Sequence, residues 1–494
     1  MLKNKIYKAW VLLAAFALSS CHDELLNPVP ESVLTTANAF NTANDLNLAV
    51  LGGYEPYKRR IQTDYALLEM GTDDMYAFYF GSTPGIEEIT VLEVSPENPR
   101  INDFWKVSYN GIFRVNSVLA NIDRPSDYSA NQKEQYIGEA KFMRAMYYFD
   151  LVRVFGGVPA VTSVITNEEA RVTPRASVDA IYNDIIIPDL KDAISKLPLP
   201  SAMPHGRASK AAAEALLAKV YVYRNNWTEA RPLLENVLED YGYNLVDDYA
   251  SLFEVATEKN SEAIFSIPFV EGTDGQTLTY ALSPIYGIHG VINNGNRVGR
   301  PTWDLHTAFE PEDSRFPVTI AEYQLTYDSD ADDEPFWFPY FNKYIVVSQP
   351  NNSGLDIPVL RLADVVLLYA EVLYNLDLPD LAIAQINRVR ERAFGNADHN
   401  YTVADIPNDD AFLDVLLLER RLELAVGNNR WFDLVRTGRY LTELQQYEGE
   451  YNPGSGTAIN IQVDVQDYKR YFPIPWEQIQ LAAEGVLTQN DKYN

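Results

Sequence analysis

The stretch that decides the fold is residues 218–237, AKVYVYRNNWTEARPLLENV, because the chain repeats its pattern once. It aligns without gaps on residues 370–389, AEVLYNLDLPDLAIAQINRV. In both copies, small alanines recur among apolar residues at helical spacing; Ala230, for example, matches Ala382. Small side chains let two antiparallel helices approach closely, so each copy predicts a pair of packed helices.

Each copy resembles a tetratricopeptide helix pair, although the Trp and Gly-Tyr positions of that consensus are missing. Such a pair cannot bury its apolar face alone, so neighbouring pairs must stack on it. Further segments with helical periodicity supply these neighbours. The predicted helices are 103–122, 131–155, 178–197, 209–224, 229–240, 361–376, 380–394 and 411–426.

Three long stretches lack this periodicity, namely 61–101, 241–359 and the tail 446–494. They are rich in Gly, Pro, Asn and aromatic residues, and the middle one is too apolar to be a linker. Long ordered loops on a helical scaffold are usually functional. We therefore expect a mostly α-helical protein, in which a tetratricopeptide-like scaffold carries a large, irregular, loop-built ligand-binding face.

The composition is that of a globular protein with an acidic surface. The chain has 494 residues, 47% of them hydrophobic and 22% charged. Asp and Glu number 69 and Lys and Arg number 40, so the formal net charge is −29. Nucleic-acid binding needs a basic surface that neutralises phosphates, so the charge argues against a nucleic-acid partner.

The N-terminus has the features of a secretory signal. Three lysines within the first eight residues precede an apolar run over residues 9–18, which is shorter than the roughly 20 residues needed to span a bilayer. The run leads into Leu18-Ser-Ser-Cys21, and Cys21 is the only cysteine in the chain. This stretch resembles a bacterial lipobox, whose cysteine is lipidated and becomes the first mature residue. The alternative is an ordinary signal peptide with an incidental cysteine.

These features predict how the chain is organised. Removal of the signal peptide takes away three lysines and no acidic residue, which changes the net charge from −29 to −32. The predicted parts are a signal peptide over 1–20, a lipidated tether over 21–34 and a single composite domain over 35–494. Within that domain, the helical scaffold mainly covers 102–240 and 360–445, and the ligand-face loops mainly cover 61–101 and 241–359.

Four further motifs follow the lipobox in order. They are EAKFMRAMYYFDLVR from Glu139 with FGGVP at 155–159, RLADVVLLYAE from Arg361 with INRVR at 386–390, ERRLELA from Glu419 with RWFDLVRTG from Arg430, and FPIP at 472–475 with QN at 489–490. Taken together, the five motifs resemble the SusD/RagB family, the surface glycan-binding lipoproteins of the Bacteroidetes. The resemblance covers essentially the whole mature chain.

The resemblance implies binding rather than catalysis, with no cofactor. The protein would capture an oligosaccharide or polysaccharide and deliver it to a SusC-like TonB-dependent outer-membrane transporter. Acidic residues in His22-Asp-Glu24 resemble a surface-export signal of Bacteroidetes lipoproteins, which implies a lipid-anchored, surface-exposed position on the outer membrane. The net charge favours a neutral glycan. Peptide capture, as in the RagB branch, is the alternative.

Two glutamates raise the alternative that the protein is a glycosidase. Glu419 and Glu423 are four residues apart on a predicted helix and could form a carboxylate pair. They could equally form an ion-pair network with Arg420, Arg430 and Arg436. Neighbouring arginines lower the pKa of a carboxyl group, whereas a glycosidase acid needs a raised pKa. We therefore predict a structural role and no enzyme activity.

The other polar motifs also predict no catalytic or metal site. Arg144 and Glu139 are expected to form a structural pair. The five histidines show no ligand spacing. Residues 328–334, DSDADDE, begin like a calcium loop but lack its Gly at the sixth and Glu at the twelfth position. We interpret them as a solvated acidic loop, with incidental calcium binding as the alternative.

The loops carry the residue types that bind sugars. Aromatic rings stack on the apolar C–H faces of a sugar, while polar side chains bond its hydroxyls. In the resembled family the glycan site lies on the face built by such loops; for each single residue, core packing is the alternative. Trp105 and Trp303 are expected to be structural, since both lie at helical spacing. The candidate ligand-binding residues are Tyr76, Tyr79, Phe80, Tyr286, His289, Asn293, Arg297, Trp337 and Tyr340.

Overall fold

The computed structural model describes residues 39–77, 85–284, 287–296, 298–325 and 336–493, with the backbone alone for 323–325 and 336–338. About half of the chain is helical, and strands are few. This content confirms the prediction of a mostly α-helical scaffold.

Ten helices of at least eight residues form the scaffold within the described ranges. They are α1 (Ala43–Ile61), α2 (Pro99–Asn121), α3 (Gln132–Phe155), α4 (Ile187–Lys196), α5 (Lys210–Tyr223), α6 (Trp227–Glu239), α7 (Leu362–Asn375), α8 (Pro379–Phe394), α9 (Asp409–Leu424) and α10 (Arg430–Thr437). Shorter α-helical segments are Tyr65–Leu68, Ile86–Thr90, Asn167–Arg171, Val178–Ala180, Leu278–Leu282, Trp303–Ala308, Phe316–Thr319, Tyr440–Glu443 and Trp476–Leu481.

All eight predicted helices are present. The one predicted over 178–197 is interrupted by a π-helical segment, Ile181–Ile186, before α4. Helix α2 begins earlier than predicted because Asn98 caps it: the Asn98 side chain accepts a hydrogen bond from the backbone N–H of Arg100 at 2.9 Å, and Pro99 occupies the first turn.

Helix α1 is long, but the sequence analysis does not predict it. The Thr42 side chain accepts a hydrogen bond from the N–H of Asp45 at 3.1 Å, and the Asp45 carboxylate accepts one from the N–H of Thr42 at 2.9 Å. Leu46, Val50 and Tyr54 then face the core at helical spacing. A capping box followed by this spacing is a helix signal, so α1 could have been predicted from the sequence.

The internal repeat forms two stacked helix pairs. Helix α5 packs on α6, α7 packs on α8, and α6 lies against α7, which joins the pairs. Helices α2, α3 and α4 extend the stack from α5, and α9 continues it beyond α8. Ala230 and Ala382 are both fully buried at these crossings. The arrangement confirms the tetratricopeptide-like scaffold.

Strands lie mainly in the stretches that the sequence analysis treats as irregular, so these stretches contain regular structure. The described residues form four two-stranded antiparallel sheets, with the pairs β1–β3, β2–β6, β4–β5 and β7–β8. The strands are β1 (Met75–Tyr76), β2 (Ala263–Ile267), β3 (Arg300–Pro301), β4 (Ile320–Leu325), β5 (Phe336–Phe341), β6 (Ile357–Arg361), β7 (Gln446–Asn452) and β8 (Thr457–Gln462).

Side-chain amides fasten the C-terminal segment to the end of α3. Asn490 Nδ2 donates to the backbone carbonyls of Phe155, at 3.1 Å, and Phe472, at 2.8 Å. Gln489 donates to the carbonyl of Ile474 at 2.8 Å and accepts from its N–H at 2.7 Å. The motifs at 155–159, 472–475 and 489–490 therefore meet in space and hold the tail in place.

Candidate functional site

Glu423 is fully buried on α9 among three guanidinium groups. Its carboxylate lies 2.6 Å from Arg392, 2.9 Å from Arg361 and 3.4 Å from Arg315. Burial disfavours the charged carboxylate, but the three arginines outweigh burial and lower the pKa of Glu423 to about 2. A glycosidase acid must hold its proton near neutral pH, so Glu423 is unsuited to that role.

Glu419 is equally buried and has its own arginines. Its carboxylate lies 2.5 Å from Arg315 and 3.2 Å from Arg390. Both glutamates are thus in an ion-pair network, but the predicted partners are wrong. Arg420 is adjacent to Glu419 on α9 and faces another direction, and Arg430 and Arg436 lie on α10. The predicted partners contact other carboxylates: Arg420 contacts Asp364 and Asp433, Arg430 contacts Asp73, and Arg436 contacts Glu371 and Asp433.

Arg144 and Glu139 also contact other partners than predicted. Arg144 forms a bidentate pair with Asp189 at 2.7 and 2.8 Å. Glu139 accepts hydrogen bonds from Arg207 at 2.7 Å and from the Tyr54 hydroxyl at 2.8 Å. Five residues apart on α3, the two side chains point to different neighbours. Their structural role is as expected, but the predicted pairing is wrong.

A second buried cluster anchors loops at one face of the scaffold. Asp73 contacts Arg430 at 2.6 Å and Arg421 at 3.2 Å. Burial opposes the charge on Asp73, but the two arginines prevail and lower its pKa to about 2. Arg421 also lies 3.8 Å from Asp304, in the short helix Trp303–Ala308. Ion pairs from α9 and α10 therefore fix this part of the face.

We call the adjoining surface the loop face; it consists of β1, β3, β5, β7 and the Trp303–Ala308 helix, which contact one another. Pairing of β1 with β3 places Tyr76 opposite Arg300, and Arg300 lies 3.5 Å from Glu450 on β7. Burial raises the pKa of both Tyr76 and Glu450, and Arg300 opposes both shifts. Tyr76 is only 4% exposed, which leaves little ring surface for a sugar.

Three aromatic rings stack at the loop face. The Trp303 ring lies 4.0 Å from Tyr451 and 4.5 Å from His306, with interplanar angles of 12° and 13°. His306 Nε2 is also 2.6 Å from the Glu322 carboxylate. All three rings are half-buried. Stacking and the hydrogen bond fix the orientation of rings that remain partly accessible.

The β4–β5 pair carries two of the predicted residues. Tyr340 pairs with Ala321, and Trp337 pairs with Gln324 in the register of the strands. Tyr340 is half-buried, and burial raises its pKa. Because β5 also contacts β3 and β7, Tyr340 belongs to the same face as the stacked rings.

His289 and Asn293 lie on a tight turn and are exposed. The N–H of Ile288 donates to the carbonyl of Ile292 at 2.8 Å, and the N–H of Ile292 donates back at 3.0 Å. Gly287 precedes the turn with φ +75°, a conformation that other residues rarely adopt. The turn presents both polar side chains to solvent, and their role in binding stays a prediction.

Other predicted features lie outside the described residues. They are the lipidation residue Cys21, the candidate ligand residues Tyr79, Phe80, Tyr286 and Arg297, and the acidic stretch 328–334. Their assignments stay predictions.

The sequence analysis missed the contribution of the C-terminal tail. Tyr451 and Glu450 reach the loop face from β7, which pairs with β8 around the turn Asn452-Pro-Gly-Ser-Gly456. Two short runs around such a turn are a hairpin signal, so the strands could have been predicted. Their contact with Trp303 joins segments about 150 residues apart and follows from no local pattern.

The loop face offers ring stacking, hydrogen bonding and ion pairing. In the part of the chain that the structure describes, no group of three or more His, Cys, Asp or Glu side chains could hold a metal ion. No helix among the described residues is long and apolar enough to cross a bilayer.

Comparison with known proteins covers both halves of the chain. Residues 35–222 match a family described as starch-binding and associating with the outer membrane, and residues 321–493 match the SusD family. SusD-like protein P25 of Formosa agariphila is 26% identical, over 98% of each chain.

Solved structures share the fold over nearly the whole length. A SusD superfamily protein of Parabacteroides distasonis is 26% identical with a TM-score of 0.74, over 93% of this chain and all of that one. Surface glycan-binding protein A of Bacteroides thetaiotaomicron, in complex with laminarihexaose, is 20% identical with a TM-score of 0.74, over 91% of this chain and 99% of that one. With its motifs in order, its stacked helix pairs and these matches, the chain belongs to the SusD/RagB family.

Proposed function

We propose that this protein captures oligosaccharides through its loop face and delivers them to a SusC-like TonB-dependent transporter. One observation carries the proposal: the half-buried rings of Tyr340 and Tyr451 share one face with the hydrogen-bonded pair of His306 and the exposed Glu322. Rings for the apolar faces of a sugar, beside polar groups for its hydroxyls, are the chemistry that sugar binding requires.

A neutral glucan is the substrate class that the observations favour. The structural neighbour in complex with laminarihexaose supports a laminarin-type glucan, and the description of the family that matches residues 35–222 supports starch. The net charge of −29 opposes the approach of a polyanion. Neutral oligosaccharides of both linkage types are therefore the probes to use first.

Lipidation at Cys21 completes the proposal. The lipobox-like stretch ends at the only cysteine, and the matched family associates with the outer membrane. An anchored protein stays beside its transporter, which raises the local concentration of captured sugar. Isolation of the detergent-solubilised lipoprotein should co-purify a TonB-dependent transporter; its absence under gentle solubilisation would contradict a stable partnership.

The alternatives predict other results. A glycosidase would need an accessible carboxylate pair, whereas Glu419 and Glu423 are buried among arginines. Peptide capture, as in the RagB branch, would use the same rings and polar groups. Peptide libraries tested beside the glycans separate these two ligands.

Calorimetry with laminarihexaose and maltoheptaose tests binding at the loop face. A Trp337→Ala, Tyr340→Ala double variant should weaken binding at least tenfold, since loss of one well-placed ring removes about 1 kcal/mol or more. Tyr374→Ala, which removes a half-buried tyrosine from helix α7, is the matched control and should bind as wild type. Wild-type affinity in the folded double variant would place the site elsewhere.

A further inference from the structure

A groove of about 900 Å³ lies between α2, the segment 159–173 and the C-terminal residues 478–487. Its volume is at the upper end of the range usual for ligand sites, about 300–1,000 Å³. None of the elements that define the loop face lines it.

One wall is an aromatic stripe along α2. Trp105, Tyr109 and Phe113 follow each other at four-residue spacing, so they lie on one side of the helix over about 12 Å. Trp105 packs edge-on against Phe155 at 5.1 Å, and the Tyr109 hydroxyl donates to the carbonyl of Pro159 at 2.8 Å. Phe113 is 53% exposed. Trp105 is only 5% exposed and forms the base of the stripe, so Tyr109 and Phe113 supply its accessible ring surface.

Polar contacts hold the other walls of the groove to α2 and to each other. Asn116 Nδ2 donates to the carbonyls of Val161, at 3.0 Å, and Ser163, at 3.1 Å. On the other side, Gln478 donates to Asn102 Oδ1 at 2.9 Å. The N–H of Ala483 donates to the carbonyl of Arg171 at 2.8 Å and closes the end of the groove. A groove fastened on three sides is pre-organised, which reduces the entropy lost on binding.

The charge and polarity of the residues that line the groove favour some kinds of ligand over others. The described residues that line the groove include two basic side chains, Lys106 and Arg171, and no acidic one, and Lys106 lies 3.6 Å from Glu477 beside the groove. A basic protein segment would be repelled by Arg171, and the carboxylate next to the groove, Glu477, already contacts Lys106. An apolar helix would bury the side-chain amides of Asn110, Asn167 and Gln480 without partners, which is costly. A sugar chain satisfies both the rings and these uncharged polar groups.

We infer that this groove is a second oligosaccharide-binding site, which takes a further segment of the polysaccharide that the loop face captures. The inference rests on the proposed function for the identity of the glycan, but not for the location of the groove. Two sites on one molecule would bind a long chain more tightly than either site alone, because the second contact is intramolecular.

Hydrogen exchange locates the bound sugar on each face. Laminarihexaose and maltoheptaose are added separately at millimolar concentration to the whole protein. We expect slower exchange of amides in 161–173 and 478–483, and this slowing should persist in the Trp337→Ala, Tyr340→Ala variant. Slower amide exchange in the groove alone would support sugar binding in the groove and refute sugar binding at the loop face. Slower exchange at the loop face alone would refute sugar binding in the groove. Slowing at neither face would refute both.

Polysaccharide binding tests the groove by substitution. Phe113→Ser with Asn110→Ala, both at exposed positions of α2, should weaken binding of laminarin or starch about tenfold and remove the slowed exchange in 161–173. Leu48→Ser, which removes a leucine that is 60% exposed on α1 outside the groove, is the matched control. Equal losses in both variants, or none in either, would overturn the inference, as would sedimentation showing that the groove is closed by a second copy of the chain.

Discussion

Glu423 shows how burial and charge combine at a single residue. Its carboxylate is out of contact with water, and Arg315, Arg361 and Arg392 replace that water. A buried ion pair adds little net stability, but removal of one partner leaves an uncompensated charge in the interior. The contacts of Glu423 therefore give it a structural role in the scaffold.

Glu423→Gln should lower the free energy of unfolding by about 3 kcal/mol at pH 7. The pKa of Glu423 is about 2 in the folded protein, below its ordinary value of 4.5, so its carboxylate stabilises the fold above about pH 4.5. This contribution is lost as the pH falls toward 2. Urea denaturation at pH 7 and pH 3 should show a smaller difference between variant and wild type at pH 3.

Glu55→Gln is the control for this substitution. Glu55 is exposed on α1, and its replacement should change stability by less than about 0.5 kcal/mol. Folded Glu419→Gln protein should bind glycan as wild type does. If Glu423→Gln were as stable as wild type at pH 7, the network would not have the structural role assigned to it.

At the scale of elements, close helix crossings fix how the helices stack. Gly111 of α2 faces the Tyr147 ring of α3, and a Cβ built at Gly111 would lie 2.1 Å from that ring. The ring cannot easily move, because the Tyr147 hydroxyl donates to the carbonyl of Gly53 at 2.8 Å and accepts from the N–H of Tyr57 at 2.9 Å. Helices α1, α2 and α3 can therefore pack this closely only because Gly111 has no side chain.

Gly111→Ala should destabilise the protein by about 1–3 kcal/mol or more through overpacking. Helix propensity alone predicts the reverse, a gain of about 1 kcal/mol. Gly52→Ala on α1 is the matched control, since nothing lies within 4 Å of its added Cβ and it should gain stability. Chemical denaturation of both variants decides; a stabilised Gly111→Ala would refute the close crossing.

The repeat makes a second prediction about elements. Ala230→Trp or Ala382→Trp should cost about 1–3 kcal/mol or more, because both alanines are fully buried between stacked helices. Leu381→Trp introduces the same ring one residue away on α8, where the side chain is 50% exposed, and should be tolerated. Equal unfolding midpoints for Ala382→Trp and Leu381→Trp would contradict the stacking.

At the scale of the whole molecule, the proposed lipid anchor at Cys21 would hold the protein at the membrane. Cys21→Ala should abolish lipidation and release the protein from the membrane, because Cys21 is the only cysteine and follows the apolar run. Labelling with a palmitate analogue and membrane fractionation measure both effects. Ser20→Thr, which keeps the cysteine, is the control. Label that persists on Cys21→Ala would disprove the assignment.

Local patterns in the sequence determined most of the scaffold. Helical periodicity followed by Gly156-Gly-Val-Pro159 predicted where α3 ends. The aligned alanines predicted the stacked pairs α5–α6 and α7–α8. The cap at Thr42 would have given α1 as well. These features are readable because a helix is stabilised by contacts three and four residues apart.

Only the tertiary structure decided which charges pair and which loops meet. Glu423 contacts Arg361, 62 residues away, and not the neighbouring Arg420. Tyr451 stacks on Trp303, and the groove joins α2 to the C-terminal residues. No local spacing encodes these contacts, because they form when packing of the apolar helix faces brings distant segments together and burial then forces each charge to find an opposite one.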